Sequence, residues 1–193
     1  MPKIKLGSVP YVYPVPIVLV GADVDGRANF AEVGDCAVAG IRPALVMVSL
    51  GENHHTTRGV LEHRVFSINI PNTALLARAD RCGIASGRDV DKSTWFEVEY
   101  GTTEAAPLIV ECPVALECRV LHLVQVEHRC VFVAEVVECH VDEAFATHRD
   151  GRPIVADLET LDPILYALDN RYYRIGGAIG TGYGEGGAIP DDV

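Results

Sequence analysis

The sequence predicts a mostly β protein, folded as a closed antiparallel barrel with a few peripheral helices. Strand-like segments mostly follow one another, without the strand–helix alternation of a doubly wound sheet. Several segments alternate between apolar and polar residues, which is the period of a strand with one buried face. Asp25-Gly26 separates two extended segments and is a dipeptide typical of tight hairpin turns. Since no internal repeat or long linker interrupts the 193 residues, we expect a single domain.

The first half of the chain predicts four strands and two short helices. The strands are expected at residues 17–23, from 27 toward 37, at 43–50 and at 65–70. Thr56 is expected to cap a helix that carries Val60 and Leu61, and Asn72 or Thr73 to cap a helix that continues through Arg81. Residues 81–100 mix glycine, serine and charged residues, which predicts a loop with a short helix.

From Leu108 the pattern becomes strongly β. In the strand that begins near residue 116, one face is expected to hold Leu116, Cys118, Val120, Val124 and Val126, and the other Glu117, Arg119, Gln125 and Glu127. After a turn at residues 127–129, residues 130–141 are apolar on both faces. A strand buried on both sides suggests a barrel wall that is also covered by a partner subunit or a helix.

Composition limits the classes of function. Hydrophobic residues make up 49% of the chain, which excludes the disordered class. A net charge of -11 makes nucleic acid and anionic membranes poor partners, although backbone N–H groups can still hold one phosphate. The longest apolar run, residues 15–20, is too short to span a bilayer. Six cysteines without a C-x-x-C pair and without a visible secretion signal predict reduced thiols in a cytoplasmic protein.

Three common site motifs find little support. The tail contains the pattern Gly182-x-Gly184-x-x-Gly187, but a dinucleotide fingerprint must open a helix, and only six residues follow, so a turn-forming tail is the better interpretation. His54 and His55 are adjacent, which is poor geometry for two ligands of one metal ion, and we predict no metal site. No G-x-S-x-G occurs, and Cys82 is interpreted as a packed thiol.

The segment at residues 53–59, Asn-His-His-Thr-Thr-Arg-Gly, is different in character. It follows a predicted strand and precedes a short helix, and it combines imidazoles, hydroxyls, a guanidinium and helix N-terminal N–H groups. This collection of donors suits a phosphate monoester. A polar helix cap at the surface is the alternative interpretation.

Several segments, taken together, resemble the flavin reductase-like or flavoredoxin family of FMN-binding split barrels. Their order and spacing along most of the chain, from about Pro14 to about Gly186, make the resemblance specific. The segments are Asn29-Phe-Ala-Glu-Val-Gly-Asp-Cys, Arg42-Pro-Ala-Leu-Val-Met-Val-Ser, His54-His-Thr-Thr-Arg-Gly-Val with Phe66-Ser-Ile-Asn-Ile-Pro, Asp80-Arg-Cys-Gly-Ile-Ala-Ser-Gly-Arg with Asp91-Lys-Ser, Pro107-Leu-Ile-Val-Glu-Cys-Pro and Tyr173-Arg-Ile-Gly.

The resemblance implies an antiparallel split β-barrel that binds FMN as a homodimer, with the cofactor near the subunit interface. One group of residues would line the isoalloxazine ring: Asn29, Ala31, Glu32, Val33, Gly34, Asp35 and Cys36. A second group would approach the phosphate and the ribityl chain: Ser49, Gly51, His54, His55, Thr56 and Thr57. Ser86, Gly87 and Lys92 would contribute further contacts.

Three features depart from the family pattern. Glu32 stands where a small hydroxyl residue is common, and an anion there would disfavour the reduced, anionic form of a flavin. Ala44 replaces the second proline of a frequent Pro-Pro pair, although Pro43 alone can set the turn. His54 and His55 replace a more usual basic residue, so phosphate affinity is expected to vary with pH.

The function that the resemblance implies is an NAD(P)H-dependent flavin or ferric reductase. Because the flavin carries the hydride and electron chemistry, the absence of a catalytic triad is expected, and no catalytic side chain is predicted. Two alternatives remain open: a non-enzymatic electron carrier that accepts electrons from a protein donor, and a binding barrel that has lost its cofactor.

Overall fold

Seven antiparallel strands form the central sheet. The computed structural model describes residues 1–184. The strands of the sheet are β2 (Val18–Val24), β3 (Arg27–Val33), β4 (Cys36–Gly40), β5 (Leu45–Gly51), β6 (Val65–Ile70), β9 (Val114–Val126) and β10 (Arg129–Val141). They run in the order β3-β2-β6-β9-β10-β5-β4, and the sheet curls so that β3, at one edge, contacts β5 near the other.

Smaller elements surround this sheet. The helices are α1 (His55–His63), α2 (Leu76–Ile84) and α3 (Leu158–Leu161), with 3₁₀ turns at Thr73–Leu75, Lys92–Trp95 and Glu143–Phe145. Three small sheets pair β1 (Val15–Pro16) with β13 (Ile164–Ala167) and β14 (Arg171–Arg174), β7 (Val98–Tyr100) with β8 (Pro107–Ile109), and β11 (Ala146–Arg149) with β12 (Arg152–Val155). The prediction of a mostly β, antiparallel protein with few helices is confirmed.

Two apolar cores lie on opposite faces of the β2–β3 hairpin. The inner core of the barrel takes alternate residues from six strands, among them Val20, Phe66 and Phe132, which are almost completely buried. The second core packs α2 and the 92–95 turn against the outer face, where the rings of Phe30 and Phe96 lie 5.5 Å apart. This double coverage fixes β3 between the barrel and α2, which decides where the cleft described below lies.

Helix α1 lies directly on β2 because a glycine allows the close approach. A Cβ atom at Gly59 would lie 2.1 Å from the carbonyl oxygen of Asp23. Val60, on the same helix, is fully buried in the barrel core. The N-terminus of α1 is therefore held in a fixed position beside the end of the hairpin.

Three local predictions were wrong. The extended segment expected from residue 27 to 37 breaks after Val33, and β4 starts again at Cys36. Thr56 does not cap α1, because the helix begins at His55 and Thr56 is buried in its first turn. The second helix continues to Ile84, three residues beyond the predicted end.

The predicted faces of β9 were also partly wrong. A bulge opposite Val133 and Ala134 of β10 reverses the alternation, so Val124 and Val126 are exposed rather than inward. Glu117, expected on the polar face, is completely buried. Cys130, Phe132 and Ala134 point into the core while Val131 and Val133 are half-buried on the outside, as expected for a strand with two apolar faces. The Gly187 end of the tail motif lies outside the described residues.

Glu117 is buried because three donors bind its carboxylate. It accepts hydrogen bonds from the backbone N–H of Thr102 (3.0 Å) and Thr103, and its Oε1 lies 2.6 Å from Nε2 of His140. Burial raises the pKa of Glu117, but the donors of His140, Thr103 and Thr102 outweigh it and hold the pKa below its usual 4.5. The carboxylate thereby ties the loop between β7 and β8 to the sheet.

Glu117→Gln is expected to destabilise the protein by about 2 kcal/mol at pH 7, because an amide cannot accept from all three donors and leaves a buried N–H unpaired. The carboxylate's contribution is present above the unfolded-state pKa and is lost as pH falls through the depressed folded-state pKa. The difference between the two proteins should therefore shrink in acid. Urea unfolding at pH 7 and pH 3 measures it, with exposed Glu99→Gln as the control. Equal losses for the two variants would contradict this role.

Candidate functional site

A cleft of about 210 Å³ lies where the end of β3, the N-terminus of α1 and residues 82–92 meet. It continues into an outer cleft of about 360 Å³ that shares Asn29, His55, Gly87 and Lys92 with it. The inner cleft is lined by Asn29, Ala31, Glu32, Asn53, His54, His55, Thr56, Cys82, Gly83, Ile84, Ala85, Ser86, Gly87 and Lys92. Nine of the sixteen predicted cofactor-binding residues are thus brought together here.

Lys92 is the buried cation of this cleft. Its side chain is almost completely buried, and Nζ donates to the carbonyl oxygens of Phe30 (2.9 Å) and Cys82 (2.8 Å). An ammonium group has three donors, so one is left for another acceptor. Within residues 1–184, no carboxylate forms an ion pair with it. Burial lowers the pKa of Lys92 below its ordinary 10.5, since a desolvated charge without a counter-ion is disfavoured.

Asn29 and Thr56 form the polar floor of the cleft. Both side chains are buried, and Nδ2 of Asn29 donates to Oγ1 of Thr56 at 2.6 Å. Gly87 lies directly above them: a Cβ atom there would be 2.0 Å from Oδ1 of Asn29 and 2.8 Å from Cδ2 of His55. A glycine is therefore needed for the 82–92 segment to close over this floor.

The N-terminus of α1 opens into the cleft without a side-chain cap. His54 occupies the capping position with extended backbone and makes no capping hydrogen bond. Free N–H groups at a helix N-terminus favour an anion. Burial, then the charges of Arg129 and Lys92, lower the pKa of His54 below 6.5, and burial, then Arg58 and Arg88, lower that of His55.

Glu32 forms one wall of the cleft and is not a simple carboxylate. Burial raises the pKa of Glu32 to about 7; the hydrogen bond with Tyr172 lowers it and the charge of Asp80 raises it further. The structure therefore resolves the conflict seen in the sequence, because near neutral pH a large part of Glu32 carries a proton. An uncharged carboxyl does not repel an electron-rich ligand.

The remaining predicted site residues do not line the inner cleft. Ser49 and Asp35 bind Arg129, whose Nε donates to Oγ of Ser49 at 3.0 Å. The Thr57 hydroxyl is buried and donates to the carbonyl oxygen of Gly51 at 2.7 Å. Val33 packs in the barrel core with Cys36 beside it, and Gly34 lines a neighbouring cleft.

Sequence reasoning missed the lining residues at the start of the 82–92 segment. These are Cys82, Gly83, Ile84 and Ala85. Arg88 donates to the carbonyl oxygen of Asn53 at 2.9 Å and joins the two walls at the rim. The signal was present, because Cys82, Gly83 and Arg88 belong to a segment that carried the family resemblance. Burial raises the pKa of Cys82 to about 11, so its thiol stays protonated.

Residues 1–184 contain neither a cluster suited to a metal ion nor a helix suited to a membrane. They hold no cluster of three or more histidine, cysteine or acidic side chains with the geometry for a metal ion. None of the helices in this part of the chain has the length and apolar character needed to cross a membrane.

The fold and the cleft together define a class of protein, the split barrels. A split barrel domain from Shewanella frigidimarina NCIMB 400 superimposes with a TM-score of 0.77, covering 88% of this chain and 86% of that one, at 19% identity. At that identity the similarity shows the fold alone. The prediction of an antiparallel split β-barrel is confirmed.

Family comparison narrows the class. The model of the "Flavin reductase like domain" matches residues 11–176, and the chain belongs to that family. Flavoredoxin from Methanosarcina acetivorans has a TM-score of 0.89 and 34% identity, covering 96% of this chain and 98% of that one. Flavoredoxin of Desulfovibrio vulgaris (Miyazaki F) has a TM-score of 0.83 and 31% identity, covering 95% and 99%. These findings support a flavin-related function.

Gly87→Ala is expected to distort the cleft, because its Cβ would displace Asn29 and break the hydrogen bond to Thr56. We expect a loss of about 1–3 kcal/mol in the free energy of unfolding, as for other overpacked sites, and a shift of the Asn29 side-chain amide signals in NMR spectra. Gly176→Ala is the matched control, since no atom lies within 4 Å of its Cβ position. Unchanged Asn29 signals would show that the segment does not close as described.

Proposed function

We propose that the protein is an FMN-binding flavoprotein and acts as an NAD(P)H-dependent flavin or ferric reductase, with the cofactor in the cleft between β3, α1 and residues 82–92. The observation that carries the proposal is Lys92, a buried cation facing the cleft without a carboxylate partner in the described chain. Membership of the flavin reductase-like family supports a flavin as the ligand that supplies the missing negative charge.

The residues of the cleft fit a phosphate-bearing flavin. In a chain with a net charge of -11, Lys92 and Arg88 lie at the cleft and form no ion pair among residues 1–184, whereas nearby Arg58 and Arg129 are paired with Asp25 and Asp35. The uncapped N-terminus of α1 adds N–H donors at the same place. On the opposite wall, Gly83 and Gly87 leave space in the cleft. A Cβ atom at Gly83 would lie against Glu32, and one at Gly87 against Asn29.

In this proposal each wall has a different task. His54, His55 and the α1 N-terminus hold the phosphate, as the 53–59 segment suggests. Asn29 and Ala31 present the edge of β3 to the ring, and Lys92 supplies positive charge. Bound FMN supplies hydride acceptance and electron transfer, and the protein orients it and limits access of water. We further propose that the whole chain is one domain and that it acts in the cytoplasm, where its six unpaired cysteines would persist.

The direct experiment is the visible spectrum of the purified protein, followed by addition of NADH or NADPH. We expect a yellow protein, or quenching of added FMN fluorescence, and oxidation of NAD(P)H that depends on FMN. A colourless protein that does not quench FMN would refute cofactor binding.

Lys92→Met should weaken FMN binding by about tenfold or more, as expected when a charged donor is lost, while Lys5→Met, in the exposed N-terminal segment, should not.

A second candidate function is an electron carrier that takes electrons from a protein donor. The two flavoredoxin structures, at 34% and 31% identity, favour this reading of the same cleft. Stopped-flow mixing separates the candidates: bleaching of the flavin spectrum within seconds by NADH or NADPH supports the reductase, whereas a bound flavin that neither nucleotide reduces supports the carrier. The third candidate is a barrel that has lost the cofactor. FMN titration tests it, because such a barrel would not bind FMN.

FMN affinity should rise as pH falls toward 5.5. The pKa values of His54 and His55 lie below 6.5 in the free protein, so both are neutral at pH 7 and gain charge only in acid. Protonation then adds attraction to the phosphate. The dissociation constant, measured by fluorescence quenching between pH 5.5 and 8, tests this. A His54→Asn, His55→Asn double variant should lose the dependence, and a flat profile in the unmodified protein would exclude the histidines as phosphate ligands.

We also propose that the protein is a homodimer. The outer face of β5, β9 and β10 carries an apolar stripe on which Met47, Val124 and Val126 are exposed and Val131 and Val133 are half-buried. Contiguous exposed apolar surface of this kind marks an interface. Light scattering should give twice the chain mass of 20.8 kDa. Val124→Lys with Val131→Lys should give a monomer, and a monomeric unmodified protein would refute the proposal.

A further inference from the structure

Glu32, Tyr172 and Asp80 form a hydrogen-bonded series beside the cleft. Tyr172 of β14 places its hydroxyl 3.0 Å from Oε1 of Glu32 on β3 and 2.7 Å from Oδ1 of Asp80 on α2. The three side chains come from three separate elements, so the contact depends on the complete fold. No part of it is a local sequence motif.

The Glu32–Tyr172–Asp80 series holds one more proton than it would have with both carboxyl groups ionised. A tyrosine hydroxyl has one hydrogen and can donate to only one carboxylate, while an ionised carboxylate can only accept. Two hydrogen bonds to two carboxyl groups therefore require that one of the carboxyls is itself protonated. We assign this proton to Glu32, which lines the cleft and whose pKa burial raises to about 7.

Glu32 also stands between two spaces. It lines the inner cleft together with Lys92, and it lines a neighbouring cleft of about 380 Å³ together with Tyr172, Asp80 and Gly34. Gly83 leaves just enough room for it, since a Cβ there would lie 2.4 Å from Oε2. The carboxyl therefore touches the proposed flavin space on one side and a route toward Asp80 on the other.

We propose that Glu32, Tyr172 and Asp80 form the path by which a proton enters and leaves the flavin cleft, with Glu32 as the group that exchanges it with the bound flavin. This inference rests on the proposed function. The path runs from the inner cleft through Glu32, Tyr172 and Asp80, in that order, to the neighbouring cleft of about 380 Å³.

The reaction of the proposed function releases one proton. One NAD(P)H and two oxidised one-electron acceptors give one NAD(P)⁺, two reduced acceptors and one H⁺. The proton that Glu32 already holds leaves first: Glu32 donates it to Oη of Tyr172 while Tyr172 releases its own hydrogen to Oδ1 of Asp80, from which it reaches solvent through the second cleft. The Glu32 carboxylate left behind then takes the proton that is released when an N–H bond of the reduced flavin breaks, and the protonated form of Glu32 is restored.

Other ionisable groups face Glu32 and define its titration. Asp80 and Cys82 approach from α2 and Tyr172 from β14. The cleft that Glu32 lines also contains Lys92, and His54 and His55 lie across it on α1 and its cap. Substitutions of Glu32 itself therefore give the clearest test, because changes at its neighbours alter the field as well as the path.

The first experiment uses the protein without flavin. A folded-state pKa near 7, above the unfolded value, means that stability is lost as pH rises from about 4.5 through 7. Glu32→Gln removes that loss, so its melting temperature relative to the unmodified protein should rise over this window and level off above it. Glu104→Gln, at an exposed position, is the control. A Glu32→Gln difference that is constant with pH overturns the inference.

The second experiment uses the FMN-loaded protein, reduced by light and mixed with ferricyanide beside a pH indicator dye. Both Glu32→Gln and Tyr172→Phe should slow proton release by about 100-fold, the lower end of general acid–base effects. Release at the unmodified rate in both variants overturns the path and leaves the proposed function intact. A protein that shows the Glu32 titration without flavin but binds no FMN overturns the proposed function, and with it the flavin as proton partner.

Discussion

The hydrogen bonds of Lys92 hold the cleft together. Its Nζ binds the carbonyl oxygens of Phe30 on β3 and Cys82 on α2, and so joins the barrel to the outer layer at one buried point. Residues 82–92 can close over Asn29 only because this point fixes both ends of the segment. A single ammonium group thus serves the fold and supplies the charge of the cleft. Substituting it by a neutral side chain would remove both, so changes in binding at this position need a parallel measurement of stability.

Glu32 illustrates how a structure changes the meaning of a residue. In the sequence it is an acidic residue where the family has a small hydroxyl, and its charge argues against a reduced flavin. In the fold, α2 and β14 enclose the side chain and Tyr172 and Asp80 contact it. Desolvation and a neighbouring carboxylate both favour the protonated form. A departure that suggested loss of the cofactor becomes compatible with a working flavin site.

The sequence predicted the strands well and the site in part. Runs of apolar residues bounded by turn residues located β2, β3, β5 and β6. The sequence failed in β9, where a bulge placed Val124 outside, because no single-residue signal marks a bulge. Glu117 is buried for another reason: the loop between β7 and β8 covers it and binds its carboxylate, a contact that the sequence does not reveal. The Glu32–Tyr172–Asp80 contact could not be predicted, since its members are separated by 140 and 92 positions and meet only through tertiary packing.

The unpaired charge of Lys92 has a consequence for the life of the protein in a cell. A desolvated cation without a counter-ion weakens the folded state until a negatively charged ligand arrives. Binding of such a ligand stabilises the folded form by mass action, and newly made chains without it would be unfolded more often and degraded sooner. Under the proposed function that ligand is a flavin, and the amount of this protein in a cell should then follow the supply of flavin.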